Sequence, residues 1–129
     1  ASQTISMPTT LKHQVTIEHA DHGMVAGLIG DAAVNEVNEL ARSLRPIAAS
    51  RGQLVIMDLA ELRFISSLGL GMLVALHRGI VAGGGAMRLA APQQLVRDVI
   101  VKCRFDSVLP VHASVDDAVA AHVAVTSAR

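Results

Sequence analysis

The chain has 129 residues, 51% of them hydrophobic and 17% charged, enough for one domain with a single sizeable core and too short for two. Eleven basic residues balance eleven acidic ones, so no net field holds the protein on a nucleic-acid backbone or an anionic membrane surface. Aromatics make up only 2%, Phe64 and Phe105 with no Trp or Tyr, which removes the stacking platforms and aromatic-lined pockets that nucleobases and sugars use.

Cys103 is the single cysteine, so no intramolecular disulfide can form and a reducing, cytoplasmic setting is expected. The longest apolar run, Leu68 to Ile80, is broken by Gly69, Gly71, His77 and Arg78 and falls short of the roughly 20 residues that span a bilayer. Ala1 to Thr10 is polar and lacks the basic-then-apolar pattern of a signal peptide. The expected organisation is a flexible segment over 1–12 and one domain over 13–127.

Gln14 to Glu18 alternates apolar and polar, the period of a half-buried strand, and Asp21-His22-Gly23 reads as a turn into a second strand over Met24 to Ile29. After Gly30, Val34, Val37, Leu40, Ala41 and Leu44 recur at helical spacing within Ala33 to Ala49, with Asp31 near the start and Pro46 in the last turn. Leu54-Val55-Ile56-Met57 is continuously apolar, the pattern of a central strand covered on both faces, and ends at Asp58. Leu59 to Ser66 reads as a loop feeding a helix over Ser67 to Val81 that stops at Gly83-Gly84-Gly85. Ala86 to Ala90 is a further strand. Pro92 precedes a helix over Gln93 to Lys102, Val108 to Val111 is a short last strand, and Ser114-Val115-Asp116-Asp117 caps a final helix through Ala118 to Val125. Strand and helix alternate after the opening hairpin, which predicts an α/β domain with a mixed, mostly parallel sheet of four to five strands and about four helices.

The segment from Asp58 to Leu73 is chemically the most informative: a buried strand ending in an acid, a loop, then Ser66 and Ser67 at the start of a helix carrying Gly69 and Gly71. A helix N-terminus has unpaired N–H groups and partial positive charge, so a serine there can cap the helix and a phosphate on it is stabilised. The Leu, Val and Met stripe from Leu68 to Ile80 reads mostly as core, with some of Leu68, Leu70 and Met72, which alternate with the glycines, expected to stay exposed as a contact patch.

The run Phe64-Ile65-Ser66-Ser67-Leu68-Gly69-Leu70 resembles the central motif of the STAS family of bacterial anti-sigma factor antagonists, in which Phe-Ile/Met precedes Asp-Ser-Ser/Thr/Ala-Gly-Leu at a helix start. The resemblance extends more loosely over most of the chain, from about Val15 to the final helix, through the Gly83 turn and Arg88-Leu89-Ala90-Ala91-Pro92. It implies a single STAS domain, and not an enzyme, that binds an anti-sigma factor or related serine kinase and frees a sigma factor in a partner-switching pathway. It also implies that Ser67 is the phosphoacceptor. The implied partner-binding residues are Asp31, Asp58, Ser66, Leu68, Gly69 and Leu70, with a turn role as the alternative for Asp58. The sequence departs from the family pattern at two places: Ser66 stands where the motif has Asp, and Gly30-Asp31-Ala32-Ala33 lacks the last acid of the family's Gly-Glu-Leu-Asp. A second implied role on the same fold is an accessory subunit bound to the ATPase of a lipid-transport ABC system.

Other candidates read more simply. Gly83 to Gly85 follows a helix and precedes a strand, the reverse of a P-loop, and is a turn. His13, His19, Asp21 and His22 match no zinc spacing and read as turn and surface residues. Cys103, near the end of an apolar helix, reads as a small buried hydrophobe. No paired carboxylates, Cys/His motif or strand-to-helix glycine fingerprint supports catalysis.

Overall fold

In the computed structural model, which describes residues 3–7, 13–20, 23–32, 37–49 and 51–127, the chain opens with an antiparallel meander. Its strands are β1 (Gln3–Met7), β2 (His13–Ala20) and β3 (Gly23–Ala32). Four further strands join in parallel: β4 (Leu54–Asp58), β5 (Leu62–Ile65), β6 (Ala86–Ala90) and β7 (Val111–His112). The helices are α1 (Val37–Ala48), α2 (Ser67–Ala82), α3 (Gln94–Lys102) and α4 (Val115–Ser127). The sheet runs β1-β2-β3-β4-β6-β7, with β5 pairing on β3 off that path.

The α/β class and mostly parallel sheet are as the alternation predicts, but among the described residues the sheet has seven strands. One extra strand, β1, falls in the segment expected to be flexible, where its partner β2 supplies the backbone bonds. The other, β5, lies inside the stretch read as a loop: within its four residues only Leu62 and Ile65 are buried, too few alternations to signal a strand. The last strand is Val111–His112 rather than 108–111, because a 3-10 turn occupies Phe105–Ser107. Asp21, His22 and Ala33, which entered the readings of the first turn, metal ligation and first helix, lie outside the described residues.

Two cores sit on opposite faces of the sheet. Val15, Ile17, Met24, Ala26, Leu28, Val55, Met57, Met87 and Leu89 face α1, α2 and α3, whose Leu40, Leu44, Leu73, Ile80, Val96 and Ile100 fill the same cluster. Leu54, Ile56 and Ala90 face α4 through Ala118. Thus β4 alternates between two packed layers, which is why its four apolar residues are consecutive. Ser114 Oγ accepts the amide of Asp117 at 3.0 Å, and α4 starts directly after it, as the capping pattern predicts.

Under α4 the sheet also carries a polar pair. Arg88 Nη1 donates to His112 Nε2 at 3.0 Å, while the buried Nε of Arg88 has no partner among the described residues. Burial and the neighbouring guanidinium both lower the His112 pKa, with Asp117 pulling the other way. Cys103 corrects its sequence reading: α3 ends on it and it is exposed, because the buried side of that helix is taken by Val96 and Ile100.

Candidate functional site at the start of helix α2

The C-terminal ends of β3, β4 and β5 converge on one edge of the domain, the place where open α/β sheets present loops and helix starts. Gly30 creates this edge. It has φ of 99°, a conformation disfavoured for residues with a Cβ, and the ladder register shifts between Gly30 and Asp31. β3 pairs with β4 as far as Gly27 and with β5 from Gly30 onward, and beyond the shift Asp31 stands opposite Phe64. Asp31 Oδ1 lies 3.3 Å from Arg63 Nε.

Asp58 ends β4, and its Oδ1 accepts the amide of Ala60 at 3.0 Å, so of its two readings the turn role is the one with a visible partner. Gln93 Nε2 donates to the Ala60 carbonyl at 2.8 Å, tying the loop to the start of α3. From β5 the chain enters α2 through Ser66. Ser66 is the N-cap, in extended conformation, and its Oγ accepts the Gly69 amide at 3.0 Å. Ser67 is therefore the first helical residue, exposed, with a hydroxyl that makes no hydrogen bond among the described residues. The departure at position 66 keeps the helix cap, since Ser and Asp are equivalent caps.

Leu68 is 53% exposed and Phe64 40% exposed, so this end of the domain also presents accessible apolar side chains close in sequence to Ser67. Of the rest of the patch, Met72 is half-buried against the core and Leu70 belongs to the core. Leu70 is 0% exposed and Gly69 is buried, because a turn of helix rotates positions 69 and 70 toward the sheet while 67, 68 and 71 point away. Leu70 acts as core, and Gly69 contributes its capped amide. The structure thus brings Ser66, Ser67, Leu68, Asp31 and Asp58 to one end of the sheet. The sequence reading missed Phe64 and Arg63 as surface residues; the signal available was the pair Arg63-Phe64 held between the buried residues Leu62 and Ile65.

Among the described residues no group of three or more His, Cys, Asp or Glu could hold a metal, and no helix is long and apolar enough to cross a membrane.

Comparison with known proteins bears on this arrangement. The family described as the STAS domain matches residues 14–118. The fold resembles an anti-sigma factor antagonist from Mycobacterium paratuberculosis, with a TM-score of 0.73 at 20% identity over 92% of this chain and 93% of that one. It resembles an anti-sigma-factor antagonist (STAS) domain protein from Planctomyces limnophilus, with a TM-score of 0.73 at 18% identity over 83% and 96%. The anti-sigma factor antagonist SpoIIAA in its unphosphorylated form aligns with a TM-score of 0.63 at 22% identity over 81% and 92%. A search of curated proteins finds no significant match. With most of its length matched by the family and this fold around the helix start, the chain belongs to the STAS domain family.

Proposed function

We propose that the protein is an anti-sigma factor antagonist-like regulator, which binds an anti-sigma factor or related serine kinase at the start of α2 and is switched by phosphorylation of Ser67. The observation that carries this reading is the division of labour between the two serines. Ser66 Oγ is spent on the cap, while Ser67 is exposed in the same segment as the exposed Phe64 and Leu68. A kinase can reach it without unwinding the helix. Such a transfer needs only a positioned hydroxyl from this chain; the nucleotide, metal and base belong to the kinase.

A phosphate on Ser67 adds roughly −1.5 to −2 charge at neutral pH and is tolerated by the helix N-terminus, where amide dipoles favour an anion. The same charge must be desolvated when a partner covers Phe64 and Leu68, so modification weakens docking without unfolding the domain. The structural neighbours named as anti-sigma factor antagonists support the general role. The test is phosphopeptide mapping of the protein from its native cells, with partner capture by wild type, Ser67→Ala and Ser67→Asp. Phosphate on Ser67 and a kinase held by wild type and Ser67→Ala but not by Ser67→Asp are expected. A stable complex with a transporter ATPase that Ser67→Asp leaves unchanged would overturn the reading in favour of an accessory subunit.

A further inference from the structure

α1 and α2 lie side by side over the larger core, and their outer surfaces leave a groove of about 280 Å³. Its floor is Leu44 and Leu76, both buried, and its walls are Ala41, Ala48, Met72 and Ala75, with Arg45 on the rim. From Ala41 to Ala48 the groove follows about two turns of helix, or roughly 10 Å. That length accommodates the i, i+3/i+4, i+7 apolar anchors of one docked amphipathic helix.

The charge around it is one-sided. The two helices carry Arg42, Arg45 and Arg78 against a single carboxylate, Glu39, which lies 3.7 Å from Arg42. Arg45 and Arg78 have no ion pair among the described residues, and Arg78 stands three residues from Ala75 on the same flank of α2. In a chain whose charges balance overall, this face is locally cationic. A second copy docked on it would oppose arginine to arginine, whereas acidic side chains flanking an apolar stripe would meet Arg45 on the rim and Arg78 farther out on α2.

Gly71 and Gly79 lie four residues on either side of Ala75, and a Cβ at either would meet nothing within 4 Å. The fold has no steric use for them, although each costs helix stability by about 1 kcal/mol relative to Ala. Their bare backbone lets a helix lying along the groove approach closely.

We propose that the groove between α1 and α2 docks an acidic amphipathic helix of a partner protein, as a surface that does not require Ser67 to be modified. The test uses the full chain and a synthetic helical peptide with leucines at i, i+3 and i+7 flanked by glutamates, and the same peptide with lysines for the glutamates. Binding is followed by fluorescence anisotropy and by amide chemical-shift mapping. The glutamate peptide is expected to bind, to shift amides of α1 and α2, and to weaken as salt rises. The lysine peptide is expected to bind at least about tenfold more weakly, and an Arg45→Glu/Arg78→Glu variant with unchanged melting should reverse that preference. Should the double variant melt early, Arg45→Gln and Arg78→Gln replace it, with loss of the preference expected. Equal binding of the two peptides, no binding of the glutamate peptide, or shifts confined to other elements would overturn the proposal. So would sedimentation showing a dimer that Ala75→Glu dissociates, since the groove would then hold a second copy.

Discussion

Ser66 Oγ accepts the Gly69 amide at 3.0 Å, and this bond frees the hydroxyl of the next residue, Ser67, from any structural duty. Adjacent serines of the same chemistry therefore have opposite sensitivities. Ser66→Ala removes the cap and should lower stability by about 1 kcal/mol, while Ser66→Asp should retain most of it. Ser67→Ala should stay within about 0.5 kcal/mol of wild type. Urea denaturation of the three variants measures this; a larger loss for Ser67→Ala than for Ser66→Ala would mean that the cap is misassigned.

Leu68 and Leu70 separate surface from core in the same way. Leu70, fully buried, should lose about 2–5 kcal/mol on truncation to Ala, and Leu70→Glu should not fold. Leu68→Glu should leave the melting temperature nearly unchanged and weaken partner capture. Circular dichroism melts of Leu68→Glu and Leu70→Ala side by side check the assignment.

Stability should fall as the solution is acidified below the ordinary histidine value of 6.5. His112 and His77 both bind protons less readily in the folded chain, through burial in each case and through Arg88 as well at His112. The unfolded chain then holds more protons just below pH 6.5, so their contribution is complete above that pH and is lost on descending through it toward the folded pKa. His112→Gln keeps an acceptor for Arg88 Nη1 and removes one titration. Its denaturation midpoint should vary less between pH 7.5 and 5.5 than that of wild type, and an identical pH profile would exclude His112 as a contributor.

Gly71→Ala and Gly79→Ala should each stabilise the isolated protein, by up to about 1 kcal/mol, because both sit inside α2 with open space beyond them. Thermal melting gives the sign directly. A decrease in either variant would show that the glycine meets a neighbour after all.

Most of the architecture is carried by local pattern. The consecutive apolar residues Leu54 to Met57 specify a strand buried on both faces, the three glycines at 83–85 end α2, and Ser114 with Asp116 and Asp117 starts α4, all within a few residues of sequence. The convergence of Ser66 and Ser67 on a helix start is equally local. What the chain could not state for itself depends on long-range pairing. β5 exists because β3 changes partner at Gly30, and that shift, more than thirty residues away in sequence, turns Arg63 and Phe64 outward opposite Asp31. Which of Leu68 and Leu70 is surface follows from the rotation of α2 on the sheet, since an apolar helix with glycines on it has no polar stripe to mark its outer face. Tertiary packing also set α1 beside α2, forming a groove with Arg45 on its rim that no spacing within either helix reveals.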